Sequence, residues 1–354
     1  MDSLTQAVLG AAVGGAVLGR RLGRKALLIG AALGTLPDLD VLIDYGDAVA
    51  NFTEHRGFSH SLFVLSGLGT LLAALCSRFA PARDIPFRHW WLFFVLCLTT
   101  HPLLDALTTY GTQLWWPLEV HPSGWPVIFI IDPLYTLPLL VGVIVALFTG
   151  NGRRAPAWGL ALSCAYLLFA LGAKAVIESR LEPALAERGL DEAPRLVQPS
   201  PFNTLLWRVT LIEGDDHYEG LMGLFDGDAP LQLERFSRGA QWQEQALALP
   251  AGERLGWFAG PFLRYEVHDH GDTPALAATD LRLGFPGFHP FTFTLATRDE
   301  EGWQPQYTEQ LELDSESRGD RDALTQLARR IFDAGRRLCL GEHVEARWHT
   351  EESC

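Results

Sequence analysis

Residues 55–76 read "HRGFSHSLFVLSGLGTLLAALC": two histidines and an arginine run directly into an apolar stretch. A helix that crosses ~30 Å of hydrocarbon needs ~20 mostly apolar residues, and the stretch Ser61–Phe79 meets that demand. Ionisable side chains at the mouth of such a span are costly to desolvate, so each is a functional candidate by default.

Working outward, apolar segments recur at Leu4–Gly19, Ala26–Ile43, Ser61–Phe79, Trp90–Leu107, Val127–Phe148 and Trp158–Ile177. The last four are long enough to span. The first is short and "PDLD" (37–40) interrupts the second, so both read as partial, tilted or re-entrant. Gly10 with Gly14, Gly15 with Gly19, and Gly30 with Gly34 form GxxxG spacings, which let short helices approach closely. The expected fold is a membrane α-helical bundle of about six helices over 1–178. A linker helix over 179–200 and an extracytoplasmic α+β domain over 201–354 follow it.

That second half has another texture. Runs such as "LLWRVTLI", "YEGLMGLF", "LRYEVHD", "LRLGF" and "FTFTLATRD" are punctuated by "GDD", "DGD", "HGD" and "FPG", the strand and turn signals of an antiparallel sheet. Arg321–Leu338 carries apolar residues at helical spacing. Cys339 and Cys354 could pair if they face an oxidising compartment.

Orientation follows from the basic residues of the short loops. Arg20, Arg21, Arg24, Lys25, Arg78, Arg83, Arg88, Arg153 and Arg154 occupy one set of loops, and Arg56 alone the other. The first set is expected in the cytoplasm, which places the C-terminal domain outside; in a diderm bacterium this means the inner membrane with a periplasmic domain. The basic cluster follows the first apolar stretch instead of preceding it, so that stretch is expected to be retained. A net charge of −14 excludes a phosphate-tracking nucleic-acid binder.

Under this topology the polar residues gather on the outer side. His101 and Asp105 are four apart, so a helix projects them from one face. Asp38 and Asp40 lie on chain loosened by Pro37, while His55 and His60 bracket Gly57. Imidazole and carboxylate donors in this combination suit zinc first, then manganese or iron. A metal here would acidify bound water and polarise an acyl or phosphoryl oxygen. Glu54 is a candidate general base or a solvated loop carboxylate, and Asp132 a supporting partner or a helix cap.

The opening "MDSLTQAVLGAAVG", then "LPDLD", "HRGFSHS" and "THPLLDALTTYGTQLWWP", resemble the YdjM-like family, inner-membrane proteins classed from motif as metal-dependent hydrolases. The resemblance covers roughly 1–180 and implies a metal site at Asp38, Asp40, His55, His60, His101 and Asp105. Many relatives read "LTH" where this chain has Leu4, Thr5 and Gln6, which leaves one coordination position open. The reading that emerges is a membrane metal-dependent hydrolase acting on a lipid or membrane-associated ester or phosphoester. The alternative is a non-catalytic metal-stabilised scaffold or a metal-handling transporter, although a transporter requires polar residues continuing to the cytoplasmic side.

Overall fold

Asp2 starts the first helix by accepting the Thr5 N–H on its carboxylate at 3.0 Å, and α1 then runs Ser3–Leu22 to Gly23, at φ 58°. Helix α2, Arg24–Thr35, returns antiparallel and stops before Pro37, where a 3₁₀ turn, Pro37–Leu42, takes over. The two helices touch backbone to backbone. A Cβ on Gly10 would lie 2.2 Å from the Gly30 carbonyl oxygen, and one on Gly34 would lie 2.5 Å from that of Gln6. Only glycine permits this approach, so the small-residue spacing in the sequence acts as a packing device. The computed structural model describes residues 1–79, 84–149, 154–227, 229–270, 273–311, 321–336, 338–343 and 348.

The chain divides into two units. The first comprises Met1–Ile43, Glu54–Gly172 and Pro201–Asn203. In it, α1 is sheathed by α2, α5 (Phe87–Asp105) and α6 (Pro133–Thr149), while α4 (Leu62–Arg78) packs on α5. The core includes Leu9, Leu18, Leu27, Phe93, Leu98, Ile128 and Leu139. The outward faces are just as apolar: Leu71, Val141, Phe148, Trp158 and Leu168 are each more than half exposed, Phe148 at 82 %. Large apolar side chains exposed in this number mark a surface suited to lipid or protein.

Among the described residues, one helix, α7 (Arg154–Ala186), is long and apolar enough to cross a membrane. A second span arises if Ala48–His60 and Leu62–Arg78, bent by 43°, count as one. The six expected segments therefore give a helical N-terminal region with one clear span. Physical length explains part of the difference: the 12 residues of α2 cover only about 18 Å at the helical rise. Residues Val127–Ile131 stay irregular, and α6 begins only at Pro133. Arg83 and Arg153, used in the orientation argument, lie outside the described residues.

The second unit comprises Asp44–Thr53, Ala173–Ser200 and Thr204–Cys354. It holds two antiparallel four-stranded meanders. The first runs β1 (Arg195–Pro199), β2 (Leu206–Glu213), β3 (Asp216–Gly223) and β4 (Leu233–Ser237); the second runs β5 (Leu263–His270), β6 (Thr273–Asp280), β7 (Thr292–Asp299) and β8 (Gly302–Gln310). Two short helices, α8 (Gln243–Leu247) and α9 (Pro250–Ala259), join the sheets, and α10, Arg321–Arg330, lies in the stretch read as helical. An antiparallel α+β domain is thus present. Its boundaries differ in detail from the expected ones: α7 continues to Ala186, and residues expected in the linker helix form β1.

"LRLGF" (281–285) is not a strand. Buried Asp280 turns the chain there by accepting the Arg282 N–H at 2.9 Å and its guanidinium at 2.6 Å, and Gly284 sits at φ 95°. Helix α3, Ala48–Glu54, was not expected, and its residues up to Thr53 belong to the second unit. The Phe52 ring packs edge-on against Phe258 at 5.0 Å, and the Val49 N–H donates to Thr308 Oγ1 at 3.0 Å. Cys354 lies outside the described residues, and the pairing expected for it with Cys339 lies there too.

Candidate metal centre

Three short pieces of chain build the site within the first unit. Helix α5 presents His101 and Asp105 one turn apart, the 3₁₀ turn after α2 presents Asp38, and a single 3₁₀ turn, Phe58–His60, presents His60 just before Ser61 caps α4. One donor atom from each of Asp38, His60, His101 and Asp105 lies within 4.8 Å of all the others. His60, His101 and Asp105 are buried, and the Asp38 side chain is 20 % exposed.

The separations are informative. His60 Nε2 lies 3.1 Å from His101 Nε2, 3.6 Å from Asp38 Oδ1 and 3.3 Å from Asp105 Oδ2. His101 Nε2 lies 3.2 Å from Asp38 Oδ1 and 3.5 Å from Asp105 Oδ2. A tetrahedron of zinc donors has edges of ~3.3–3.6 Å, because an edge is ~1.63 times a metal–donor distance of ~2.0–2.2 Å. The residues present therefore fit one tetrahedral divalent ion.

The surrounding hydrogen bonds aim lone pairs at that point. The His101 Nδ1–H donates to the Gly34 carbonyl oxygen at 2.5 Å, which leaves Nε2 as the unprotonated nitrogen. For His60 the direction follows from Ser59. The Ser59 hydroxyl donates to Asp40 Oδ2 at 2.6 Å, so it must accept from His60 Nδ1 at 2.8 Å, and again Nε2 carries the lone pair. Two imidazole lone pairs facing each other at 3.1 Å repel unless a cation lies between them. Asp105 is divided in the same way: its Oδ1 accepts from Gln6 Nε2 at 2.9 Å and from the Met1 amine, while no hydrogen bond reaches Oδ2 among the described residues.

Asp40 and His55 stand one layer back. His55 Nδ1 donates to Asp40 Oδ1 at 2.9 Å, and Asp40 Oδ2 also accepts the Arg56 N–H at 2.9 Å. Asp40 is therefore saturated by donors and orients His60 through Ser59, the role that metal-site supports usually play. The His55 side chain is 24 % exposed at the rim, its ring centroid 6.1 Å from that of His60. The Glu54 carbonyl closes the turn onto the Gly57 N–H at 2.8 Å. Asp132 caps α6, accepting the N–H groups of Leu134 and Tyr135 at 3.1 and 3.2 Å on Oδ1 and the Tyr166 hydroxyl at 2.9 Å on Oδ2. Of the residues expected at the site, Asp38, His60, His101 and Asp105 converge; Asp40 and His55 flank them, Asp132 caps α6, and the Glu54 carbonyl closes the turn at Gly57.

Sequence reasoning overlooked Arg56, Ser59 and the Gly34 carbonyl. Arg56 is buried, with its Nε 3.3 Å from Asp105 Oδ2. Its being the one basic residue of the loops expected on the outer side was the available signal. Gln6, noted only as a substitution, holds Asp105 and the His101 carbonyl.

Comparison with known proteins shows which family the chain resembles. The family described as YdjM inner membrane protein matches residues 1–177, which is half of the chain and contains the whole cluster. The chain belongs to the YdjM inner membrane protein family. Within that frame, the Bacillus subtilis (strain 168) protein YfhP, described as uncharacterized, is 24 % identical over 304 residues, 82 % of this chain and 89 % of its own length. Inner membrane protein YbcI of Escherichia coli (strain K12) is 37 % identical over 109 residues, 30 % of this chain. The chain spans 59 % of the length of YbcI. No solved structure matches. The YfhP match is longer than the family's 177 residues, so the similarity to it extends into the second unit.

Proposed function

We propose that this YdjM-family protein is a membrane-embedded, metal-dependent hydrolase whose ion is held by Asp38, His60, His101 and Asp105. The observation that carries the reading is the pair of facing imidazole nitrogens, each with its other nitrogen tied to a fixed acceptor, 3.1 Å apart and flanked by two carboxylates. A bound zinc ion would supply Lewis acidity and lower the pKa of coordinated water towards neutrality. The chain's own groups would do the rest. Asp40 and Ser59 hold His60 in one tautomer, Gly34 holds His101, and Gln6 turns Asp105 so that Oδ2 faces inward. His55, whose Nδ1 is committed to Asp40, offers Nε2 at the rim as a proton carrier.

The helices with apolar exteriors would lie in lipid, and the lone basic residue of the site-side loops would put the site and the second unit on the outer side. The substrate would then be a lipid or membrane-associated ester or phosphoester that reaches the partly exposed Asp38 and His55. A second reading, a structural metal, is favoured by one observation: four protein donors lie within 4.8 Å of one another, the ligand number of closed structural sites.

Elemental analysis of the detergent-purified protein, with hydrolysis assays on lipid esters and phosphoesters, tests both readings. One ion per chain in the wild type, its loss in His60→Ala and His101→Ala, and turnover that disappears with it would support the enzyme. A stoichiometric ion with no turnover across the panel would favour the structural reading, and a metal-free wild type purified without chelators would refute both.

A further inference from the structure

Arg56 has a combination of properties that metal holding does not require. It is a non-glycine residue at φ 65°, a conformation that is sterically costly and persists only where the surroundings enforce it. They do so from both sides: its N–H donates to Asp40 Oδ2 at 2.9 Å, and its carbonyl accepts the Gln113 N–H at 3.0 Å. The guanidinium lies over the Tyr110 ring, 4.7 Å from its centroid, and the residue is only 4 % exposed. Burial and ring stacking fix its direction.

That direction is towards the donor cluster. Nε stands 3.3 Å from Asp105 Oδ2, one of the inward-facing oxygens, and neither Nε nor Nη1 makes a hydrogen bond among the described residues. An arginine paired with a carboxylate frequently adopts a forked, two-bond geometry at ~2.7–2.9 Å. Here the approach is single, longer and outside hydrogen-bond geometry, while Asp105 Oδ1 is occupied by Gln6. The buried guanidinium therefore keeps donors for another anion.

Charge arithmetic names its class. The two donor carboxylates, Asp38 and Asp105, offset a divalent ion, and Asp40 is taken up by His55, Ser59 and the Arg56 N–H, so the positive charge of the Arg56 guanidinium has no hydrogen-bonded anion of its own among the described residues. A neutral carboxylic ester offers nothing to offset that charge. A phosphoryl group offers an anionic oxygen to the guanidinium and another to the ion. Resting on the hydrolase reading above, we infer that Arg56 is the anion-binding arm of the site and that the substrate is a phosphoester, not a carboxylic ester.

The test uses the full-length, zinc-loaded protein in detergent, with metal content measured for every sample. Inorganic phosphate is titrated calorimetrically into wild type, Arg56→Lys and Arg56→Gln. The expected result is unchanged zinc stoichiometry, phosphate affinity at least tenfold weaker in Arg56→Gln, and an intermediate value in Arg56→Lys, which keeps the charge without the planar fork. Short-chain phosphatidic acid titrated in parallel separates the sources of the group. Tighter Arg56-dependent binding of the lipid identifies a headgroup, and equal binding a soluble phosphoester.

Phosphate affinity in Arg56→Gln within twofold of wild type, with zinc retained, would overturn the assignment and leave the metal centre standing. Zinc-loaded wild type that binds no phosphate, or binds uncharged trimethyl phosphate equally well, would overturn it without any variant having to fold. A zinc-free wild type would remove the underlying reading itself.

Discussion

Ser59→Ala isolates the support of the metal site from its ligands. In the native arrangement the Ser59 hydroxyl accepts from His60 Nδ1 at 2.8 Å and donates to Asp40 Oδ2 at 2.6 Å. Without it, Asp40 keeps its bonds from His55 and the Arg56 N–H, so the carboxylate remains satisfied. His60 does not: Asp40 Oδ2 is 3.7 Å from Nδ1, beyond direct hydrogen-bond reach. In the metal-free protein the ring can escape by moving its proton to Nε2, where Asp38, Asp105 and His101 surround it. Metal binding requires the opposite tautomer and so strands a buried Nδ1–H donor, at a cost of ~1–3 kcal/mol. The expected consequence is a zinc affinity about 10- to 100-fold weaker at unchanged stoichiometry, in the range found for losing a ligand's hydrogen-bond partner. Competition with a chromophoric chelator, on detergent-purified wild type, Ser59→Ala and Ser59→Thr, reads it directly. Ser59→Thr keeps the hydroxyl and should recover most of the affinity. An Ser59→Ala protein that binds zinc as tightly as wild type would refute the tautomer argument, and with it the reason given for His60 facing His101.

Three further outcomes follow from the packing. Gly30→Ala should destabilise the helical unit by a few kcal/mol and weaken zinc binding, because its Cβ would meet the Gly10 carbonyl oxygen at 2.2 Å and α2 carries the Gly34 carbonyl that orients His101; thermal unfolding in detergent beside a zinc titration measures both, and an unshifted midpoint would contradict the close approach. Breaking the buried pair of Arg208 with Glu219, bonded at 2.8 and 2.6 Å, by Glu219→Ala should cost about 3–5 kcal/mol in urea unfolding of the second unit, since the guanidinium loses its partner in place. Acid should weaken that unit in a definite window. Burial, with Arg208 and Arg264 adding, pushes His289 down to about 3, and burial, with His289 next, holds His217 well below the usual histidine value. Both are neutral in the folded state, so above ~6.5 they contribute no pH dependence. Below it the unfolded chain takes up protons that the folded one cannot, and stability falls by about 1.4 kcal/mol per pH unit per histidine, about 4 kcal/mol in all at pH 5. Denaturant midpoints followed from pH 8 to 5 should show this slope, halved in His217→Phe; a flat profile would disprove it.

Much of the fold was legible because local rules wrote it. Apolar runs marked α1, α4, α5, α6 and α7; Pro37 marked the end of α2; and alternation with turn residues marked β2, β3, β5 and β7. Strands such as β6, "TPALAATD", escaped because its residues from Ala275 onward are all buried, which erases the alternation that betrays a half-exposed strand. The site was legible as a set of residue types, since His and Asp buried among apolar segments are too costly to keep without a use.

What the chain alone determined was therefore composition and period: which segments avoid water, which bend, and which side chains carry the chemistry. Which of those side chains are mutual neighbours, and which only support them, was decided by tertiary structure. Asp38 and Asp40 are two residues apart on one turn, yet the turn points one at the imidazoles and binds the other to Ser59 and His55. Arg56 looked like a loop charge until burial beside Asp105 and the Tyr110 ring gave it a direction. Spacing along the chain sets only local direction, whereas ligation depends on distances of ~3 Å between residues up to 63 positions apart, and only the packing of α1, α2 and α5 defines those distances.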